Sequence, residues 1–313
     1  MGQQESPAAA SSVGDGSDGA PAMPFAARRR PARALIGWMD HEMARRSLVP
    51  DLAPNAAIPL EAHRAVQSAH DVVGQRDPSP QRAGADVVAE LPPGLEGHCA
   101  KLAQHPHAAP LFDEGWTVRL VDLRGVRAFQ PIVFTDNLDE RLADIDPADV
   151  ASVARLTLPL DDVTPDLPIG FDEAQQAWVV ASANPNLRVS GRSMGPLQAN
   201  NAPPGLVLGF VVTLSPSFVQ VASYKGHWHL RDGYHRAYGL LRLGVTHAPA
   251  FVRSLDAFSD LSVPPGHLPQ EAFLGDRPPL LPDYLDETVS ASIEGFATTR
   301  VITVARLQTD ILA

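Results

Sequence analysis

The chain has 313 residues, and 44% of them are hydrophobic, which is enough for a sizeable core in one or two domains. The formal net charge of −11 argues against a broad basic surface that coats nucleic acid, so DNA is not favoured as a partner. The single cysteine, Cys99, excludes an intramolecular disulfide framework, and no apolar run approaches the ~20 residues that span a bilayer. We therefore expect a cytoplasmic protein without a membrane segment.

The first third of the chain is predicted to contain helices and little else. Residues 1–30 are poor in large hydrophobic side chains, which predicts a disordered tail. Residues 31–110 are predicted to form a helical extension with a linker. A first helix is expected from Pro31 onward, a second over residues 59–75 and a short third near residues 95–105. The first of these rests on four hydrophobic residues with helical spacing, Leu35, Ile36, Met39 and Met43.

Residues 111–255 carry the strand signals and are predicted to form the core of an α+β fold, a small mixed sheet with packed helices. Alternating and β-branched segments predict strands at residues 116–123, 129–134, 177–183, 205–214 and 217–224. Two helices are expected on either side of Pro147, because proline suits the first turn of a helix. Residues 256–313 are predicted to be a C-terminal extension that packs on this core, with a helix in part of residues 283–295 and a strand or helix at the end.

The sequence Asp-Gly-Tyr-His-Arg, from Asp232 to Arg236, stands between a predicted strand and a predicted helix that ends at Gly244. Gly233 permits a tight backbone at this turn, and Asp232 can accept hydrogen bonds from the first helical amides. A helix N-terminus favours an anion through its free N–H groups and its dipole. Arg236 adds a planar fork suited to phosphate, and His235 can act as an acid, a base or a hydrogen-bond donor.

Around this turn, residues 206–253 resemble the core of the ParB and sulfiredoxin superfamily, in which a strand leads through an Asp-Gly-x-His-Arg turn into a short helix ending in glycine. The resemblance implies that this turn binds the phosphates of a nucleotide or of a DNA backbone, through Gly233, Tyr234, His235 and Arg236; with DNA not favoured by the net charge, a nucleotide or a phosphorylated small molecule is the expected partner. It also implies a nucleoside triphosphate with Mg²⁺ as cofactor. Phosphoryl transfer or phosphoester hydrolysis is the implied reaction, with His235 and Asp232 as catalytic residues. The chain departs from the family in having no helix-turn-helix downstream and no cysteine in the turn, so neither DNA partitioning nor the sulfiredoxin reaction is implied.

Two alternatives remain open on sequence grounds. His227 and His229 project to one face of a strand and, with Asp232 and His235, would suit a metal-dependent enzyme. A non-enzymatic interaction protein could also keep the ParB-like core only as a scaffold.

Further side chains are candidates to support a bound phosphate. Four polar residues are predicted in this role: Arg188, Arg192 and Ser193 in a loop that could fold over the turn, and Arg231 beside it. Ser193 also stands in a Gly-x-Ser-x-Gly sequence, but the prolines at 196, 203 and 204 exclude the helix that a nucleophile elbow requires.

Overall fold

A computed structural model describes residues 29–53, 56–78, 87–136, 138–160, 167, 169–182, 187–197, 205–214, 216–296 and 300–305. The predicted tail, apart from Arg29 and Arg30, and most of the predicted linker lie outside these residues. The strands are β1 (Arg29–Ala34), β2 (Val88–Ala89), β3 (Thr117–Asp122), β4 (Ile132–Phe134), β5 (Ile169–Asp172), β6 (Ala177–Ser182), β7 (Leu187–Leu197), β8 (Gly205–Leu214), β9 (Gln220–Tyr224), β10 (His227–Asp232), β11 (His247–Leu255), β12 (Ala291–Phe296) and β13 (Arg300–Ala305). The α-helices are α1 (His41–Leu48), α2 (Leu60–Gln75), α3 (Glu96–Gln104), α4 (Ala109–Asp113), α5 (Leu138–Leu142), α6 (Val150–Thr157), α7 (Tyr234–Arg242) and α8 (Gln270–Leu274).

The fold is α+β, as the sequence predicts, and its largest sheet has five strands in the order β10-β9-β11-β3-β2. This sheet is mixed, because β9 and β11 are parallel whereas the other neighbours are antiparallel. Helix α7 connects β10 to β11 and buries Tyr234, Ala237, Tyr238 and Leu240 in the main hydrophobic core. The predicted helices at α2, α3, α5, α6 and α7 are confirmed.

The N-terminal segment differs from the prediction, because residues 31–34 belong to a strand and not to a helix. Strand β1 is the middle strand of a second sheet, β12-β1-β4, and pairs on both sides in antiparallel fashion. The alternation of buried Ala32 and Ala34 with the less buried Arg33 suits this pairing. A helix begins only at His41, where the side chain of Asp40 caps it by accepting the amide of Met43 at 2.7 Å. Backbone pairing on two sides therefore overrides the helical spacing of the hydrophobic residues.

Arg188, Arg192 and Ser193 also lie on a strand, whereas the sequence predicts a loop for this segment. Strand β7 pairs with β8 over ten residue pairs, from Leu187 opposite Leu214 to Leu197 opposite Gly205, with an irregularity between Val189 and Gly191. A third sheet has the order β13-β6-β5, so the predicted strand or helix at 300–305 is a strand. The prediction of a partial helix at 283–295 is wrong, apart from a 3-10 turn over Leu281–Leu285. Residues 291–296 form a strand instead, because their backbone pairs with β1.

No helix in the described ranges is both long enough and apolar enough to cross a membrane.

Candidate functional site

The Asp-Gly turn at the end of β10 is in close contact with residues 216–219, the segment that leads into β9, which we call the strap. Gly233 has φ +96°, and a Cβ atom at this position would lie 2.7 Å from Val219 Cγ2 and 3.0 Å from Val219 Cα. Glycine is therefore required both by the left-handed backbone and by the close approach of the strap. Asp232 Oδ1 accepts the amide of Gly233 at 2.6 Å and the hydroxyl of Ser217 at 3.0 Å. The predicted capping of the first helical turn by Asp232 is wrong, because α7 has no side-chain cap.

The guanidinium of Arg236 is held by oxygen atoms of two segments distant in the sequence. Its Nη1 donates to the carbonyl of Leu156 at 3.2 Å and to the carbonyl of Ser217, and its Nη2 donates to Ser217 Oγ at 2.5 Å. Burial lowers the pKa of Arg236 to about 10, and the charge of Asp232 opposes this shift in part. All three acceptors are neutral, and no carboxylate in the described ranges forms an ion pair with Arg236. A desolvated cation without a paired anion is costly, so this position favours the arrival of a negative group.

The ring of His235 lies parallel to the ring of Phe134 on β4, with 6.1 Å between centroids and 4° between planes. Burial lowers the pKa of His235 to about 4, and the charges of Arg141, Arg30 and Arg236 lower it further, against an opposing effect of Asp136. The imidazole is therefore neutral at pH 7. We call Arg30, Arg141, His235 and Arg236 the basic cluster.

Arg30 enters the basic cluster from β1, and it is held there by Asp136 and Phe134. Its Nε donates to Asp136 Oδ2 at 2.5 Å, and its guanidinium lies 4.7 Å from the centre of the Phe134 ring. Burial alone would raise the pKa of Asp136, but the hydrogen bond and charge of Arg30 outweigh it and lower that pKa. The second oxygen, Oδ1, is buried without a hydrogen-bond partner. Sequence analysis did not predict a role for Arg30, Asp136 or Phe134. The only relevant feature of the sequence was the basic run that ends at Arg30, which was predicted to belong to the disordered tail.

The side chain of Tyr234 is a structural element of the turn and does not face a ligand. Its hydroxyl donates to the carbonyl of Leu230 at 2.6 Å and accepts the amide of Phe129 at 3.0 Å. Burial raises the pKa of this phenol well above its ordinary value. Only the main-chain amide of Tyr234 is thus left for the predicted contact with phosphate.

The predicted histidine site is not assembled as a metal centre. His229 is fully buried, neither of its ring nitrogens makes a hydrogen bond of normal geometry within the described ranges, and its ring meets the ring of Phe273 edge-on at 6.1 Å. Burial lowers the pKa of His229 to about 4, and the charge of Arg127 adds to this effect. The pKa of His227 is lowered by the same two causes. Across the described residues no three His, Cys, Asp or Glu side chains form a group that could hold a metal, and Arg127 repels a cation here.

Of the predicted supporting residues, Arg188, Arg192 and Ser193 lie on β7, and Arg231 lies on β10. Arg231 lies over the ring of Trp116 at 5.4 Å and donates to Ser262 Oγ at 3.4 Å. Arg188 donates to the carbonyl of Leu187 at 3.1 Å, whereas Arg192 and Ser193 are exposed on β7. The Gly-x-Ser-x-Gly sequence lies inside this strand and not at a strand-to-helix turn, so a nucleophile elbow is excluded.

No family model, curated protein or solved structure matches this chain. A function must therefore be inferred from the chemistry of the basic cluster and the turn.

Proposed function

We propose that the first turn of α7, with the basic cluster, binds the phosphate groups of a nucleotide or another phosphorylated small molecule. The observation that carries this proposal is the guanidinium of Arg236, which is desolvated and, within the described ranges, bonded only to neutral oxygens. An anion beside it would bond directly to the guanidinium, whereas Asp232 reaches it only through Ser217 Oγ.

Two further observations support an anion at this place. The N-cap residue of α7 is Gly233, which has no side chain to cap the first-turn amides at the positive end of the helix dipole. Arg30 and Arg141 act on His235 together with Arg236, although the whole chain has a net charge of −11. The positive potential is thus local, as in a binding site for a small anion. The resemblance of the turn to the phosphate-binding turn of the ParB and sulfiredoxin superfamily points the same way.

A phosphoryl-transfer or phosphoester-hydrolysis reaction is the chemistry that the side chains suit. His235 is neutral, so its ring offers one acceptor and one donor nitrogen. A Mg²⁺ ion would arrive with the phosphate groups, because Mg²⁺ is commonly held by one or two carboxylates plus substrate phosphates, and Asp136, whose charge acts on His235, is the carboxylate that would hold it. Such an ion would neutralise charge on the transferred group.

Substitution of Arg141 tests the proposal more cleanly than substitution of Arg236. Removal of Arg236 would leave the acceptors of Ser217 and Leu156 without their donor, whereas Arg141 is exposed. We expect Arg141→Ala to weaken the binding of phosphate, ADP or ATP by about tenfold or more, as for the loss of one charged contact. Arg46→Ala is the control, since Arg46 is an exposed arginine of α1 paired with Glu42.

Isothermal calorimetry with and without Mg²⁺ measures this effect, and thermal shifts across a panel of nucleoside di- and triphosphates extend it. A panel without any shift would refute phosphate binding and favour the scaffold alternative. Nuclear magnetic resonance of the His235 ring gives an independent reading. Its pKa should be about 4 in the free protein and should rise when a phosphate anion binds. A pKa that stays unchanged at saturating phosphate would place the anion elsewhere.

A further inference from the structure

Ser217 lies at the point where the strap crosses the turn, and its position is fixed from several sides. On the same strap, the amide of Val219 donates to the carbonyl of Thr157 at 2.9 Å, and the carbonyl of Val219 accepts the amide of Phe251 at 2.9 Å. The carbonyl of Ser217 itself accepts from Arg236. The residue is nevertheless partly exposed. Its hydroxyl is therefore held in place in a residue that is not fully buried.

The two hydrogen bonds of this hydroxyl define its chemistry. Ser217 Oγ donates to Asp232 Oδ1 at 3.0 Å and accepts from Arg236 Nη2 at 2.5 Å. A hydroxyl that donates to a carboxylate and lies beside a fixed cation has the surroundings of an activated nucleophile, in which the carboxylate takes the proton and the cation stabilises negative charge on the incoming group. The carboxylate that accepts the hydroxyl proton in protein kinases is likewise an aspartate.

We propose that Ser217 is the phosphoryl acceptor of this protein, with a nucleoside triphosphate as donor; this inference rests on the proposed function. Ser217 Oγ attacks the terminal phosphorus and forms a new P–O bond. The bond between that phosphorus and the bridging oxygen of the nucleoside diphosphate breaks, and its electron pair leaves with the diphosphate. The hydroxyl proton passes to Asp232 and then to water.

The product fits the charges at the turn. A phosphoserine carries close to two negative charges at neutral pH and strong acceptor oxygens, which suit Arg236 and the uncapped amides of α7. The new phosphate also faces the carboxylate of Asp232, so the bond that joins Ser217 to Asp232 is lost and like charges repel. Phosphorylation therefore loosens the strap from β10 while it strengthens the contact with Arg236.

The experiment incubates the full chain with ATP and Mg²⁺ and follows intact mass and phosphopeptide maps over time, while calorimetry measures ATP binding to the same unmodified protein. We expect one phosphoryl group per chain, on Ser217. Ser217→Ala should take up none, Ser217→Thr should restore uptake on the threonine, and Asp232→Asn should slow uptake by about 100-fold. Ser254→Ala is the matched control, since Ser254 is an exposed serine of β11 in the same sheet, and it should be phosphorylated like the wild type.

ATP binding without phosphate on Ser217 overturns this inference and leaves the proposed function standing. Phosphate on other residues in place of Ser217 overturns it as well. The absence of ATP binding overturns both. The map of the wild-type protein decides the matter even if Ser217→Ala does not fold.

Discussion

The substitution Gly233→Ala tests whether the strap and the turn are locked together as described. Gly233 has φ +96°, and an L-residue in the left-handed region costs about 1–2 kcal/mol. The added methyl group would also lie 2.7 Å from Val219 Cγ2 and 3.0 Å from Val219 Cα, and overpacking of this kind costs about 1–3 kcal/mol. We therefore expect Gly233→Ala to lower the free energy of unfolding by about 2–5 kcal/mol, a large part of the stability of an ordinary domain.

Gly244→Ala separates these two costs. Gly244 has φ +81° at the end of α7, but a Cβ atom there would have no neighbour within 4 Å. Its substitution should cost only the backbone part, about 1–2 kcal/mol. Urea unfolding followed by circular dichroism measures both variants under the same conditions. If the two variants lose the same stability, or if Gly233→Ala is as stable as the wild type, the close approach of Val219 to the turn is refuted.

Two further predictions concern the buried histidine of β10 and a helix cap. The free energy of unfolding should fall as the pH is lowered from about 6.5 to about 4, because His229 takes up a proton in the unfolded chain whereas the buried ring stays neutral in the folded protein. This residue alone should lower the free energy of unfolding by about 3 kcal/mol over that range. His229→Phe should keep or raise the stability at pH 7, because the ring nitrogens of His229 make no hydrogen bond of normal geometry within the described ranges. The same substitution should remove the contribution of His229 to the loss of stability at low pH. An unchanged pH dependence in urea unfolding would contradict this. Asp149→Ala should lower the free energy of unfolding by about 1 kcal/mol, because Asp149 accepts the amides of Ala151 and Ser152 at the start of α6. Asp144→Ala, at an exposed position nearby, should change it little, and equal effects in thermal unfolding would argue against the cap.

Features with local causes could be predicted from the sequence. The helix after Gly233 and its end at Gly244 were predicted correctly, because a left-handed glycine and the spacing of buried residues in α7 are properties of neighbouring residues. The helices on either side of Pro147 were also predicted, but Pro147 precedes the N-cap Asp149 and does not lie in the first turn of α6, as had been expected. The α+β class follows from the alternation of such local signals along the chain.

The partners of the turn could not be predicted, because they come from distant segments. Arg236 is bonded to a carbonyl 80 residues earlier, and Arg30 to a carboxylate 106 residues later. No pattern in the amino-acid sequence indicates which residues are paired at these separations. Strand β1 was not predicted, because its backbone partners come from β4 and β12, which are distant in the sequence. The helical spacing of Leu35, Ile36 and Met39 is also compatible with the buried 3-10 turn that follows β1.

The position of β1 has a consequence for the order of events during synthesis. Strand β4 can pair with β1 soon after β4 is made. The pairing with β12, including the bond from Arg33 to Ser292, closes a sequence separation of 259 residues. Closing so long a loop is entropically costly and slow. During translation one edge of β1 therefore stays unpaired, and that edge is a hazard for aggregation until β12 leaves the ribosome.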